Sequence, residues 1–153
     1  MNQTPARARR RLATALLVPG VLAALLAGCG GSDPATPAAT RTPDAGVGAV
    51  TSDESGVQEV TLETGDDYVF TPDAFTVAPG PVRLTVTNNA TQLTHNFAFT
   101  AGAGPEEITA SIPLLAPGAS ETIEFTVAAP GDHPFECSFH TALGQVGTMT
   151  VSG

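Results

Sequence analysis

Residues 57–153 alternate apolar and polar side chains with a period of two almost throughout. Such alternation puts every second side chain on the same face of a strand, so that one face is buried and the other meets solvent. Turn signals separate the runs, at Pro79-Gly80, Asn88-Asn89, Gly104-Pro105, Pro117-Gly118 and Pro130-Gly131. Because no stretch shows a capped helical period, the pattern predicts an all-β domain, an antiparallel sandwich or barrel.

The predicted domain runs from Val57 to Gly153, which is 97 residues and enough for one small hydrophobic core. The core-facing residues are expected from four alternating runs: Val60 and Leu62; Val82, Leu84 and Val86; Ile123, Phe125 and Val127; Met149 and Val151. A strand is expected from Val146 to Val151, whereas residues 106–112 fit either a strand or a short helical turn.

The first 28 residues have the composition of a secretory signal. Four arginines precede an apolar stretch from Leu12 to Ala27, which is shorter than the ~20 apolar residues of a membrane span. The sequence Leu26-Ala27-Gly28-Cys29 resembles the lipobox of bacterial lipoproteins, in which the cysteine is acylated and becomes the mature N-terminus. Residues 1–28 are therefore predicted to be a lipoprotein signal peptide and Cys29 a lipidation site, with an ordinary signal peptide as the alternative. Export by the general secretory or the twin-arginine route stays open.

Residues 29–56 are rich in glycine, proline, alanine, threonine and serine. Such a segment buries too little surface to offset the entropy of ordering it, so a flexible tether is expected. Removal of residues 1–28 leaves two arginines against fifteen acidic residues, a formal charge of −13. This charge excludes nucleic acid as a partner and favours a cationic one, although it also serves solubility alone.

The stretch from Cys137 to Gln145 sets a thiol, the imidazole of His140 and a side-chain amide along one short loop. With Cys29 lipidated, Cys137 would be unpaired in an oxidising compartment, where a thiol is preserved by burial or by a metal. His95 shares a strand face with Phe97, so it is expected to point inward. An inward histidine is more often a hydrogen-bonded core residue than a ligand, but here two histidines and one cysteine form the trigonal set of a blue-copper site, completed by a weak axial Met or Gln.

Two sequence patterns together resemble the cupredoxins, the plastocyanin-like blue-copper proteins, over the whole 97-residue domain. The first is Phe70-Thr71-Pro72 … Phe75-Thr76-Val77-Ala78-Pro79-Gly80 … Asn88 … His95-Asn96-Phe97. The second is Pro130-Gly131 … Phe135-Glu136-Cys137-Ser138-Phe139-His140 … Gln145-Val146-Gly147-Thr148-Met149. The resemblance implies a Greek-key β-sandwich or barrel and a copper ion held by His95, Cys137 and His140.

The axial position departs from the family's common pattern, which has a methionine there. Stellacyanin-like cupredoxins use glutamine, so the resemblance permits Gln145 as the axial ligand; the alternatives are Met149 or no axial ligand. The resemblance also implies that Asn96, near Ser138, ties the His95 strand to the ligand loop. Four phenylalanines, Phe97, Phe99, Phe135 and Phe139, are expected to exclude water, and His133 is expected in a surface turn between Asp132 and Pro134.

Three functions follow as hypotheses, and no enzyme signature competes with them. The first is a monomeric one-electron carrier, anchored by lipid to the outer face of the cytoplasmic membrane or in the periplasm, with a redox partner protein. The second is a copper-binding or copper-delivery lipoprotein. The third is a cupredoxin-like interaction module with an empty site, which the complete set of two histidines and one cysteine disfavours.

Overall fold

A computed structural model describes residues 46–153, which form ten strands in two sheets packed face to face. The strands are β1 Thr51–Ser52, β2 Gln58–Thr64, β3 Phe70–Thr71, β4 Ala74–Val77, β5 Gly80–Asn88, β6 His95–Phe99, β7 Ser111–Leu115, β8 Ser120–Val127, β9 Gly131–Glu136 and β10 Val146–Val151. Within these residues the one helical element is a 3-10 turn, Thr141–Leu143. The prediction of an all-β sandwich is confirmed.

The chain crosses repeatedly between the two sheets, as a Greek-key sandwich requires. Sheet I has the order β1-β2-β5-β8, with β3 also paired to β2, and sheet II has the order β4-β10-β9-β6-β7. The sheets are not purely antiparallel as expected, because β2 pairs with β5 and β4 with β10 in parallel. Parallel neighbours need a long connection, and here the chain visits the opposite sheet between the two members of each pair.

The core lies between the sheets and follows the period-two pattern. Val60, Leu62, Leu84 and Val86 of sheet I and Met149 of sheet II are each at most 3% exposed. Four phenylalanine rings pack in edge-on or tilted pairs around that of Phe135, namely Phe70, Phe75, Phe97 and Phe99. Offset and edge-on ring pairs add stabilisation beyond the burial of their area, so this cluster supports the end of strand β9.

One end of the sandwich gathers the segments that carry the predicted ligands. Strands β6 and β9 are antiparallel, with Ala98 opposite Glu136, so the start of β6 and the end of β9 lie at the same edge. The loop that leads into β6 is held by the buried Asn88, whose Nδ2 donates to the carbonyls of Leu93 at 2.8 Å and Leu115 at 3.0 Å. The register of two strands therefore brings His95 beside Cys137.

His133 is buried, not at the surface as expected, with 2% of its area exposed. Strand β9 runs through Pro134 rather than turning there, and His133 lies opposite Met149 in the register with β10. Its Nε2 lies 3.0 Å from the carbonyl oxygen of Ala129, which satisfies the buried ring. The proline had suggested a turn, but the sheet accommodates it.

The folded part of the chain begins earlier than the expected boundary at residue 57. Strand β1 lies in the segment predicted as a tether, and Thr51 pairs with Glu59 of β2. The ambiguous segment at residues 106–112 is irregular until β7 begins at Ser111. No helix in residues 46–153 is long and apolar enough to cross a membrane. The predicted signal peptide, Cys29 and most of the tether lie outside the described residues.

Candidate metal centre

Three potential ligand atoms converge at the ligand-bearing end of the sandwich. The Sγ atom of Cys137 lies 3.5 Å from Nδ1 of His140 and 3.9 Å from Nδ1 of His95. The two Nδ1 atoms are 3.2 Å apart. Cys137 and His95 are fully buried, whereas His140 is partly exposed.

The chemistry of these atoms fits a bound cation better than a hydrogen-bond network. Two ring nitrogens and a sulfur face one another at separations that bonds of about 2.0–2.3 Å to a common ion would span. A soft thiolate with two imidazoles is the donor set of trigonal copper sites. The residues present therefore fit a copper ion held by His95, Cys137 and His140.

The side chain of Gln145 points into the same cluster. Its Oε1 lies 2.9 Å from Nδ1 of His95 and 3.0 Å from Nδ1 of His140, and the residue is fully buried. Met149 lies opposite His133 in the strand register, four residues after Gln145, which directly precedes β10. At about 3.3 Å per residue, four residues correspond to about 13 Å, so Met149 packs in the core away from the three ligand atoms.

The loop between β9 and β10 holds its ligands through backbone hydrogen bonds. The Cys137 amide donates to the Gln145 carbonyl at 3.0 Å, and the His140 amide donates to the Cys137 carbonyl at 2.9 Å. Gly144 closes the 3-10 turn with φ of +88°, in the left-handed region that favours glycine. The loop is therefore closed across its base, which limits the positions open to His140 and Gln145.

Asn96 connects the His95 strand to the ligand loop through three contacts. Its Nδ2 donates to Ser138 Oγ at 2.6 Å, and its Oδ1 accepts from the Ser138 amide at 2.8 Å. Its own backbone amide donates to Cys137 Sγ at 3.4 Å. The contacts tie the start of β6 to the ligand loop beside the Cys137 sulfur. A hydrogen bond to sulfur favours the thiolate, so the Asn96 amide would support Cys137 as a metal ligand.

Burial lowers the pKa of His95 from its ordinary value, because desolvation disfavours the charged imidazolium. The hydrogen bond with Gln145 opposes this shift, and the charge of His140 adds to it. A metal binds the neutral imidazole. The pocket therefore favours the neutral form of His95, which is the form that can act as a ligand.

The ring of Tyr68 packs against the partly exposed His140, a contact that the sequence analysis missed. The two ring centroids are 4.9 Å apart in an edge-on arrangement. Tyr68 has φ of +57°, which is uncommon for an aromatic residue. The one sequence feature that could have indicated this contact is an aromatic residue directly after the polar residues Gly65-Asp66-Asp67. Alternation of apolar and polar residues does not predict the direction of a side chain in a turn.

The expected water-excluding phenylalanines divide into two groups. Phe97 and Phe135 are fully buried and Phe99 is partly buried beneath the site. Phe139 is 52% exposed and does not enter the core. Its ring centroid lies 6.4 Å from that of His140 in an edge-on arrangement, so it borders the exposed side of the site.

Comparison with known proteins identifies the same class of protein as the fold and the site do, a copper-binding protein. Residues 57–152 match the family of copper binding proteins described as plastocyanin/azurin. The chain is 39% identical over 100 residues to plastocyanin A/B of Petroselinum crispum, covering 61% of this chain and 99% of that protein. It is 30% identical over 116 residues to plastocyanin of Nostoc punctiforme, covering 69% of this chain and 82% of that protein.

A solved structure shows the same likeness. Dithionite-reduced auracyanin from the photosynthetic bacterium Roseiflexus castenholzii superposes with a TM-score of 0.55 at 30% identity, covering 62% of this chain and 97% of that one. The chain thus belongs to the plastocyanin/azurin family of copper-binding proteins, the cupredoxins. Its cofactor is copper, and His95, Cys137 and His140 are positioned as the metal site.

Proposed function

We propose that this protein is a type 1 copper protein that carries single electrons outside the cytoplasmic membrane. Bound copper would supply the chemistry by alternating between Cu(II) and Cu(I). The observation that carries the proposal is the convergence of His95, Cys137 and His140 on strand ends and one closed loop. Its relatives are plastocyanins, and an auracyanin of similar fold has been crystallised in a reduced state.

Rigidity favours electron transfer over copper delivery. Ligands built on strand ends hold their geometry better than ligands on free loops, and a site that keeps one geometry in both oxidation states costs little to reorganise. A delivery protein needs an exposed and exchangeable site, commonly rich in methionine. Here Met149 is buried in the core, and two of the three ligands are fully buried.

Electron self-exchange and copper retention test the proposed role. We expect rapid self-exchange between the oxidised and reduced forms, measured by NMR line broadening in mixtures of the two. We also expect the protein to keep its copper during incubation with a chelator of moderate affinity. Slow self-exchange combined with fast and complete copper loss would favour the delivery function instead.

We propose Gln145 as the axial ligand, supported by its buried Oε1 beside both histidines. An amide oxygen is a harder donor than a thioether, so it favours Cu(II) and lowers the reduction potential. Gln145→Met is therefore expected to raise the equilibrium constant for reduction at least tenfold, about 59 mV for one electron. Cyclic voltammetry measures this shift.

Met149→Leu is the matched control for the axial assignment. Met149 is fully buried in the core, and Met-to-Leu exchanges there usually cost less than about 1.5 kcal/mol. We expect a small change in stability with an unchanged visible spectrum and potential. A large potential shift in Met149→Leu together with none in Gln145→Met would reverse the assignment.

We propose that the redox partner approaches at His140 and is cationic. His140 is the partly exposed ligand, and the exposed side chains of Phe139 and Leu143 flank it in the loop. Within residues 46–153 the single lysine or arginine is Arg83, which is already bonded to Glu59 and Glu124. The remaining acidic side chains would attract a positive partner, so association should slow as the ionic strength rises.

We also propose that the protein is a lipoprotein anchored through Cys29, which rests on the lipobox-like sequence and the apolar run before it. Cys29→Ser is expected to release the protein from the membrane fraction or to leave the precursor unprocessed. Fractionation of cells expressing both forms, followed by immunoblotting, measures this. Equal membrane association of the two forms would contradict a lipid anchor.

A further inference from the structure

Thr64, the last residue of β2, connects sheet I to the ligand loop through its hydroxyl group. Its Oγ1 accepts a hydrogen bond from Nε2 of Gln145 at 2.6 Å, although the two residues are 81 positions apart. Both residues are fully buried. The contact therefore lies inside the protein, where a polar group without a partner is costly.

The backbone around Thr64 is well fixed. Its carbonyl accepts the Asn89 amide at 2.8 Å, and the register pairs Thr64 with Asn88 of β5 and with Phe70 of β3. Threonine also has few side-chain rotamers because it is branched at Cβ. The hydroxyl thus offers a defined position to whatever bonds to it.

The direction of the Gln145 amide determines whether it can bind a metal. A glutamine amide has an acceptor oxygen at one end of the group and a donor nitrogen at the other. With Nε2 bonded to Thr64, Oε1 faces the ring nitrogens of His95 and His140 at 2.9 and 3.0 Å. The reverse orientation would direct amide hydrogens at those nitrogens and leave no lone pair for an ion.

We propose that Thr64 is a positioning residue that holds the Gln145 oxygen toward the copper and thereby lowers the reduction potential. The proposal rests on the proposed function, because it requires Gln145 to act as the axial group. Among the described residues the Thr64 hydroxyl forms its hydrogen bond with Gln145 and none with the three strong ligands, so its effect passes through Gln145. Removal of the hydroxyl leaves the amide nitrogen without its partner and the oxygen free to turn away.

A double-mutant cycle on the copper-loaded protein tests this coupling. Thr64→Val, which keeps the shape and removes the hydroxyl, is expected to raise the equilibrium constant for reduction about tenfold, or about 59 mV. Thr64→Ser restores the hydroxyl and should stay within about twofold of the wild type. In the Gln145→Leu background, Thr64→Val should change the constant less than about twofold, because the amide is already gone.

The outcomes of the cycle separate the two hypotheses. If Gln145→Leu shifts the potential and Thr64→Val does not, the Thr64 proposal is overturned while the axial assignment stands. If Gln145→Leu shifts nothing, the axial assignment fails and the proposal fails with it. If Thr64→Val shifts the potential equally in both backgrounds, Thr64 acts through general packing, which also overturns the proposal.

Two further measurements distinguish the loss of the Thr64 hydrogen bond from a general disturbance of the fold. Thr85→Val removes a hydroxyl that bonds Thr122 on the exposed face of sheet I, at 2.9 Å, and should leave the potential unchanged. NMR of the diamagnetic Cu(I) wild type should show Gln145 side-chain amide hydrogens that exchange slowly with solvent and give a nuclear Overhauser effect to the Thr64 side chain. Amide hydrogens that exchange as fast as those of an exposed glutamine and show no such effect would contradict a fixed orientation, even if Thr64→Val failed to fold.

Discussion

Replacement of Cys137 by serine is expected to abolish the intense visible absorption of the copper-loaded protein. That absorption arises from charge transfer between a thiolate and Cu(II), and a metal deprotonates a coordinating thiol outright. A serine hydroxyl in the same buried position is harder, binds copper more weakly and has no sulfur orbital to donate from. The change is all-or-none, and a visible spectrum at one equivalent of Cu(II) measures it.

Cys29→Ser is the matched control, because Cys29 is the other cysteine of the chain. It should retain the full absorption of the wild type, since the proposed anchor takes no part in the site. A wild-type protein that stays colourless with one equivalent of copper would contradict the blue-copper assignment. An unchanged spectrum in Cys137→Ser would show that another group supplies the chromophore.

Phe135→Ala is expected to destabilise the copper-free protein by about 3–5 kcal/mol, the range for truncating a buried phenylalanine. Phe135 is fully buried, and its ring centroid lies 5.0 Å from that of Phe97 and 5.4 Å from that of Phe70. Its ring also fills the space over Gly147, where an added Cβ atom would clash with it. Because small domains have about 5–15 kcal/mol of stability in total, the loss is large.

Denaturant titration of the copper-free protein measures this effect without the contribution of metal binding. Phe139→Ala is the matched control, since this phenylalanine is 52% exposed and surface substitutions usually change stability by less than about 0.5 kcal/mol. Equal destabilisation by the two substitutions would contradict the assignment of Phe135 to the centre of the core. Phe135 also lies two residues before Cys137, so its loss should weaken the support of the site.

The strand positions were predictable because they depend on local alternation. Val60, Leu62 and Met149 are buried as their period-two parity required, and β10 runs from Val146 to Val151 as expected. His133 was wrongly predicted at the surface because its neighbours Asp132 and Pro134 favour a turn, although it lies two residues before the buried Phe135. Within a strand, parity proved the better guide than the neighbouring proline.

The parallel pairings of β2 with β5 and of β4 with β10 could not be read from alternation. A strand shows the same period of two whichever direction its neighbour runs. The chain path between the sheets decides the direction, and that path depends on how both sheets bury their inner faces together. The same holds for β1, which is too short to show a pattern and is held by its pairing with β2.

The sequence by itself determined the all-β class, because the alternation of apolar and polar residues is local. It also determined the kinds of ligand, because one short loop carries Cys137 and His140 and a strand carries an inward-facing His95. The tertiary structure alone decided that Thr64 bonds Gln145 and that the ring of Tyr68 packs edge-on against that of His140. These contacts join sheet I and its turns to a loop of sheet II. No local pattern encodes them, because each of the two contacts joins residues that are more than seventy positions apart in the chain.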